Sequence, residues 1–252
     1  MNALLAFDTA TERMSVALAV GAEVSVHEAA GGALASATLL PVILDLLARA
    51  GLKVRDLDAI AFGRGPGAFT GLRTACSVAQ GLALGAAKPV LPIDTLLAVA
   101  EDARTGAGAG AGASGGAAPL QVWVAMDARM GEIYAAQYAF ANACWQVLDA
   151  PMLITPEALN QRWAEQPPKA VAGSALGAFG ARLRLPHDAA CFAGALPRAA
   201  GMIPLARALS AAGGAVDAAL ALPLYLRDKV AQTSAERDAV RAARADAAEP
   251  LQ

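Results

Sequence analysis

The sequence predicts an α/β protein in which a weak internal duplication is visible. Three observations carry that prediction. Up to about residue 93, short apolar runs and helical stretches alternate in the order βββαβαβ with short connections, the pattern of a mixed layer fold. A glycine- and alanine-rich run, Thr105 to Ala118, then interrupts the pattern. Beyond it the pattern restarts: apolar Leu120–Met126 ends at Asp127 before a polar turn, as apolar Leu4–Phe7 ends at Asp8.

Each element has a local reason. Leu4–Phe7 and Met14–Val20 are apolar strands flanking the polar turn Asp8–Arg13, and Glu23–Glu28 alternates like an edge strand. A helix is expected over Thr38–Ala50, with Gly51 as its C′ residue and Pro41 in its first turn, where a missing N–H costs little. Asp58–Phe62 is a short buried strand. The glycine-rich loop Gly63–Arg73 follows, and then the helix Leu72–Ala87 with Thr70 as its N-cap. Val90–Ile93 completes the first unit. In the second, Leu120–Met126, Glu132–Tyr138 and Gln146–Leu153 read as three strands. The expected organisation is a first lobe 1–104, a linker 105–118 unable to bury apolar side chains, a second lobe 119–230, and a charged, alanine-rich tail 231–252.

Composition excludes several classes of function. The 252 residues carry a formal net charge of −2, with no basic stripe, which argues against direct nucleic-acid binding. The three cysteines, Cys76, Cys144 and Cys191, stand at wide spacings that suit reduced thiols and neither a disulfide frame nor a zinc site. Mean hydropathy is +0.44, much of it alanine, and no uninterrupted apolar run reaches the ~18 residues of a membrane span. The chain opens on a strand pattern without a basic leader, so no secretory signal is expected. The only histidines, His27 and His187, form no metal or catalytic frame. Trp123, Trp145 and Trp163 fall at core-like positions.

The glycine loop has two chemical readings. Gly63-x-Gly65-x-x-Ala68 after a strand, with Asp94 ending the next strand, matches a loose dinucleotide fingerprint. Against it, Pro66 removes an N–H that a pyrophosphate would need, and no Gly-Lys-Ser/Thr occurs. A tight corner shaping a helix start is the favoured reading. Arg129 beside Asp127 reads as a local ion pair. On the helix Thr38–Ala50, Leu39, Val42, Ile43, Leu46 and Leu47 form one stripe, and Leu40 and Leu44 extend apolarity round the cylinder, as on a helix buried on two sides. The helix Leu72–Ala87 presents small residues, Ala75, Cys76, Ala79, Gly81 and Ala83, that allow another helix close approach.

Four stretches, in order, resemble the TsaB (YeaZ) family of tRNA threonylcarbamoyladenosine biosynthesis. They are Ala6-Phe-Asp-Thr-Ala-Thr-Glu12, the Gly63–Arg73 loop, Asp127-Ala-Arg-Met-Gly-Glu-Ile-Tyr134 and Pro223-Leu-Tyr-Leu-Arg-Asp-Lys-Val230. The Gly-Pro-Gly-x-Phe-Thr-Gly and Asp-Ala-Arg-x-Gly-Glu cores are specific to that family in combination. The resemblance implies a two-lobed, actin- and sugar-kinase-like (duplicated RNase H-like) α/β fold with mixed sheets flanked by helices. It implies a cytoplasmic, non-catalytic subunit without cofactor or metal. That subunit pairs with a TsaD-like transferase, which moves a threonylcarbamoyl group onto tRNA adenosine, and with a TsaE-like ATPase. It meets tRNA only through the complex, and pairing with a second copy of itself is left open. Partner-binding positions are expected at Leu39, Val42, Ile43 and Leu46 on the first helix and at Arg73, Cys76 and Gln80 on the second. Asp8, Thr9, Thr11, Gly65, Gly67 and Asp127 would be remnants of a nucleotide site. One departure stands out: relatives often carry a histidine just before the first helix, where this chain has Ala35-Ser36. The alternative reading is an ATP-dependent sugar or acyl kinase of the same superfamily, which lacks support from a second phosphate loop. A nucleotide-binding oxidoreductase rests on the loose loop match alone.

Overall fold

The computed structural model describes residues 1–106 and 120–227. In the first lobe β1 (Ala3–Asp8), β2 (Arg13–Val20), β3 (Glu23–Ala30), α1 (Ala35–Arg49), β4 (Ala59–Gly65), α2 (Phe69–Ala86), β5 (Val90–Asp94) and α3 (Thr95–Thr105) follow one another. The second lobe runs β6 (Leu120–Asp127), β7 (Ile133–Ala141), β8 (Cys144–Ile154), α4 (Pro156–Glu165), β9 (Ala170–Ala172), α5 (Ala175–Phe179), β10 (Ala190–Phe192) and α6 (Ala199–Ala211). The sheets are ordered β3-β2-β1-β4-β5 and β8-β7-β6-β9-β10. In each, the first three strands are antiparallel neighbours and the last two run parallel to the first. Element by element the second lobe repeats the first, so the duplication visible in the sequence extends to the whole topology.

Strand alternation decides what each sheet face meets. Ala3, Leu5 and Phe7 of β1 point into a core shared with α1 and α2, whereas Leu4 and Ala6 point the other way, onto Met202, Ile203 and Ala206 of α6. In the second lobe Trp123 and Ala125 of β6 pack with Leu159 and Trp163 of α4, while Val122 and Val124 pack with Val99 and Ala103 of α3. The last helix of each lobe therefore covers the other lobe's sheet. Polar bonds lock this exchange: Asp102 of α3 accepts from the Leu196 N–H at 2.9 Å and pairs with Arg198, whose Nε also lies 3.2 Å from Glu28 of β3. Burial, against those partners, pushes the Asp102 carboxyl upward.

Several expectations need correction. The first helix starts at Ala35, so Pro41 lies in its interior and not in its first turn; its ring faces solvent, where water can meet the carbonyl that loses its donor. Gly51 does adopt φ +68°, and the N–H groups of Gly51 and Leu52 close on Ala48 and Leu47 at 3.0 and 2.9 Å, a Schellman ending. The second helix starts at Phe69 behind Ala68, so Thr70 stands inside the first turn and caps nothing. Helix α3 extends through Thr105, with Gly106 closing it in the left-handed region, so the expected linker begins later than Thr105. The rest of that linker and the tail 231–252 lie outside the described residues. Trp123 and Trp163 are buried and Trp145 partly so, its indole N–H donating to Glu101 at 2.9 Å.

Candidate functional site

The two lobes face each other across a cleft of about 460 Å³, whose lining includes Thr11, Gly67, Phe69, Asp127, Arg129 and Arg227. Its walls include the same corner of each lobe, where the first strand turns toward the second.

In the first lobe that corner is sealed. Asp8 is 1% exposed, and one carboxylate oxygen accepts from the Ala10 N–H at 2.7 Å while the other accepts from the Thr95 hydroxyl at 2.9 Å. Burial pushes its carboxyl up to about 6, against those two bonds. The Thr9 hydroxyl, also buried, donates to the Gly71 carbonyl at 2.7 Å. The glycines of the loop explain themselves here. A Cβ on Gly63 would lie 1.7 Å from an Asp8 oxygen, and one on Gly71 would lie 1.9 Å from the Thr9 carbonyl oxygen. Gly65 has φ +114°, and a Cβ there would meet the Leu224 carbonyl oxygen at 2.8 Å. The loop is glycine-rich because the hairpin and the carboxy-terminal segment press on it. Asp94, the acid of the dinucleotide pattern, is taken by Arg64.

In the second lobe the corner is open. Asp127 lines the cleft; it accepts from the Arg129 N–H at 2.8 Å and pairs with the Arg129 guanidinium at 3.3 Å, the local ion pair expected. The same guanidinium reaches over to Glu12 of the first lobe at 2.9 Å. Of the expected nucleotide-site remnants, the structure thus brings Thr11, Gly67 and Asp127 to the cleft wall. Asp8, Thr9 and Gly65 lie instead at buried structural positions: Ala10 and Thr95 take the Asp8 carboxylate, the Gly71 carbonyl takes the Thr9 hydroxyl, and Thr95 takes the Gly65 N–H. The carboxylates that face or underlie the cleft each have a partner: Asp8 bonds Ala10 and Thr95, and both Asp127 and Glu12 pair with Arg129. Among the described residues no three His, Cys, Asp or Glu side chains cluster as a metal site.

The helix residues expected to meet a partner also need correction. Leu39, Ile43 and Leu46 are buried in the first lobe's own core and Val42 is partly buried, because the sheet takes this stripe. The helix is not buried on two sides: Leu40 and Leu44 are 41% and 48% exposed. With the short turn before it, the segment Gly32–Arg49 has a mean hydropathy of 1.5, enough by composition to cross a membrane, but its packed stripe makes it a helix of the lobe. On α2, Cys76 and Gln80 are covered by the chain itself, donating to the Ala221 carbonyl at 3.0 and 2.9 Å. Arg73 is exposed, lying 3.9 Å over the Phe69 ring and 3.3 Å from the Tyr225 hydroxyl. Ala75, Ala79 and Ala83 pack in the first lobe's core.

Sequence reasoning missed two residues. Thr95, which bonds Asp8 and accepts from the Gly65 N–H at 3.1 Å, gives no signal beyond its place at the end of a strand. Arg227 lies in the Pro223–Val230 motif but was given no role; its guanidinium donates to Glu132 at 2.6 Å and to the carbonyls of Ala128 and Arg129.

Comparison with known proteins agrees with this architecture. The family model described as "TsaD: tRNA N6-adenosine threonylcarbamoyltransferase" matches residues 22–179. The chain is 36% identical to the tRNA threonylcarbamoyladenosine biosynthesis protein TsaB of Escherichia coli over 90% of this chain and 96% of that protein. To the protein of the same name in Haemophilus influenzae it is 34% identical over 90% of this chain and 94% of the other. The structure of YeaZ from Pseudomonas aeruginosa superposes with a TM-score of 0.78 at 37% identity, covering 90% of this chain and all of that one. With 90% of this chain matched at 34–36% identity to nearly the whole of two curated relatives, the chain belongs to the TsaB (YeaZ) family of tRNA threonylcarbamoyladenosine biosynthesis proteins.

Proposed function

We propose that this chain is a non-catalytic subunit of the cytoplasmic machinery that installs threonylcarbamoyladenosine in tRNA. It pairs with a TsaD-like transferase and works alongside a TsaE-like ATPase, meeting tRNA only through the complex. The observation that carries the non-catalytic part is the sealed Asp8 corner. A carboxylate that is 1% exposed, doubly hydrogen-bonded and roofed by Gly63 cannot reach a phosphate or a cation in the cleft. Asp127, its counterpart, is occupied by Arg129.

The pairing surface in this reading is the outer face of α1, where Leu40 and Leu44 lie exposed; Leu34 before the helix and Leu84 on α2 are exposed as well. Val42 lies on the far edge of the buried stripe, round the helix from Leu40 and Leu44, and is not part of this face. Water-exposed leucines on a helix with few charges are stabilised by docking against another apolar face. A second copy of the chain would compete for the same face when the transferase is absent.

The test is reconstitution. The chain alone should turn over no ATP and transfer no threonylcarbamoyl group, while adding it to the transferase and ATPase should switch on modification of tRNA. ATP turnover by the isolated chain, lost on Asp8→Ala, would contradict the non-catalytic reading. Full modification without the chain would contradict the subunit role.

A further inference from the structure

The described part of the motif Pro223–Val230, with the two residues before it, plays no part in the function argued so far, yet residues 221–227 join the two lobes. On the first lobe, the Ala221 carbonyl accepts from Cys76 and Gln80, the Leu224 N–H donates to the Arg64 carbonyl at 2.7 Å, and the Tyr225 ring packs on Phe69 at 5.2 Å between centroids. On the second lobe, Arg227 ties down the β6–β7 turn: it donates to the Ala128 and Arg129 carbonyls at 3.1 and 3.3 Å and to Glu132 at 2.6 Å, and it also touches Met130. Arg227 lies three residues beyond Leu224, a reach of at most ~11 Å. Its side chain is only 12% exposed.

We propose that residues 221–227 form an interlobe strap that fixes the opening of the cleft, a role that a bound ligand plays where two-lobed proteins close by hinge motion. Three features support it. The two anchors belong to different lobes, and so short a tether between them leaves little slack. The second anchor is one terminal nitrogen of a guanidinium, whose two hydrogens serve the Glu132 carboxylate at 2.6 Å and, shared between them, the Ala128 and Arg129 carbonyls, a charge-assisted set shielded from water although the buried Nε has no partner among the described residues. The other direct tie between the corners, Arg129 to Glu12, joins side chains 69% and 79% exposed and holds little. Gly65 is shaped to this strap as well, since any Cβ there would strike the Leu224 carbonyl. The exchanged helices α3 and α6 join the lobes independently, so loss of the strap frees the corners without separating the lobes.

Hydrogen exchange on the full chain tests this with one cut at each anchor. Arg227→Ala removes the second-lobe anchor, and Leu224→Pro removes the N–H that bonds Arg64. Each variant should speed exchange about tenfold at the far corner, which it does not touch. For Arg227→Ala these are the amides of Ala10, Ala68 and Leu72, and for Leu224→Pro those of Ala128 and Glu132. Amides in the middle of β1 and β6 should keep their protection. If each variant speeds exchange only at its own anchor, there is no strap and the contacts are local. Should Arg227→Ala unfold the chain, Leu224→Pro decides alone, by the same reading at Ala128 and Glu132.

Discussion

The two corners that face the cleft share a backbone turn and differ in what their aspartates touch. Each first strand ends in an aspartate whose carboxylate accepts the N–H two residues on, Ala10 after Asp8 and Arg129 after Asp127, at 2.7 and 2.8 Å. In the first lobe the helix after the fourth strand runs 18 residues and its glycine loop clamps the hairpin; in the second the equivalent helix has 5 residues and leaves the turn open. One aspartate became a buried strut and the other a cleft-wall residue held by its neighbouring arginine. A duplicated fold thus keeps backbone geometry long after its two copies stop sharing chemistry.

Mutations at matched positions sharpen this contrast, and the largest effect belongs to the apolar helix. Ile43→Asp buries an unpaired charge in the first lobe's core and should cost about 4 kcal/mol or more in denaturant unfolding, enough to unfold the lobe. Its neighbour Leu44→Asp, on the exposed face, should cost less than about 1 kcal/mol and yet prevent pairing. Equal stability losses at the two positions would mean that α1 has no free face.

The glycines come next. Gly63→Ala should cost about 3 kcal/mol, because its Cβ would fall 1.7 Å from the Asp8 carboxylate. Gly81→Ala in the open middle of α2, where a Cβ meets nothing within 4 Å, should add about 0.5–1 kcal/mol. A mild Gly63→Ala phenotype would show that the hairpin is not clamped.

The sealed Asp8 corner also carries a pH dependence. The folded Asp8 carboxyl is raised from 3.8 to about 6, so the folded state holds the proton more tightly than the unfolded chain. Its stabilising contribution is complete below pH 3.8 and is lost as pH rises toward 6, a decline of order 2–3 kcal/mol. Asp8→Asn should flatten that decline, measured by chemical unfolding across the window; an unchanged slope in Asp8→Asn would contradict it. The smallest effect is expected at the bridge between the corners: Arg129→Ala removes its ion pairs with Glu12 and Asp127 from an exposed side chain and should change unfolding free energy by about 1 kcal/mol or less.

Much of the fold was legible in the chain because period-two apolar runs and turn residues mark strands that are half or fully buried. The βββαβαβ order and the echo of Asp8 by Asp127 come from such local signals. Helix α3 was not legible: Thr95–Thr105 carries Glu101, Asp102 and Arg104, and their charges look solvent-facing until Leu196, Arg198 and Trp145 arrive from the other lobe. The short β9, α5 and β10 are too brief to give a periodic signal. At α1 the pattern showed that the helix was apolar all round. It could not show which stripe met the sheet, and the expected interface residues Leu39, Ile43 and Leu46 are the sheet-facing ones. The glycine loop was legible as a tight corner, but its cause, the hairpin and residues 221–227 pressing on it, is a long-range contact.

The central claim is that the exposed face of α1 acts in the complex while the Asp8 corner is only structural, and one reconstituted assay addresses both halves. Threonylcarbamoyladenosine formation is measured in tRNA with transferase, ATPase and one of three versions of this chain: unaltered, Asp8→Asn or Leu44→Asp, each first shown to be folded. The account predicts that Asp8→Asn supports modification at the unaltered rate and that Leu44→Asp supports none above the level without the chain. Loss of modification with folded Asp8→Asn, or full modification with Leu44→Asp, would contradict it.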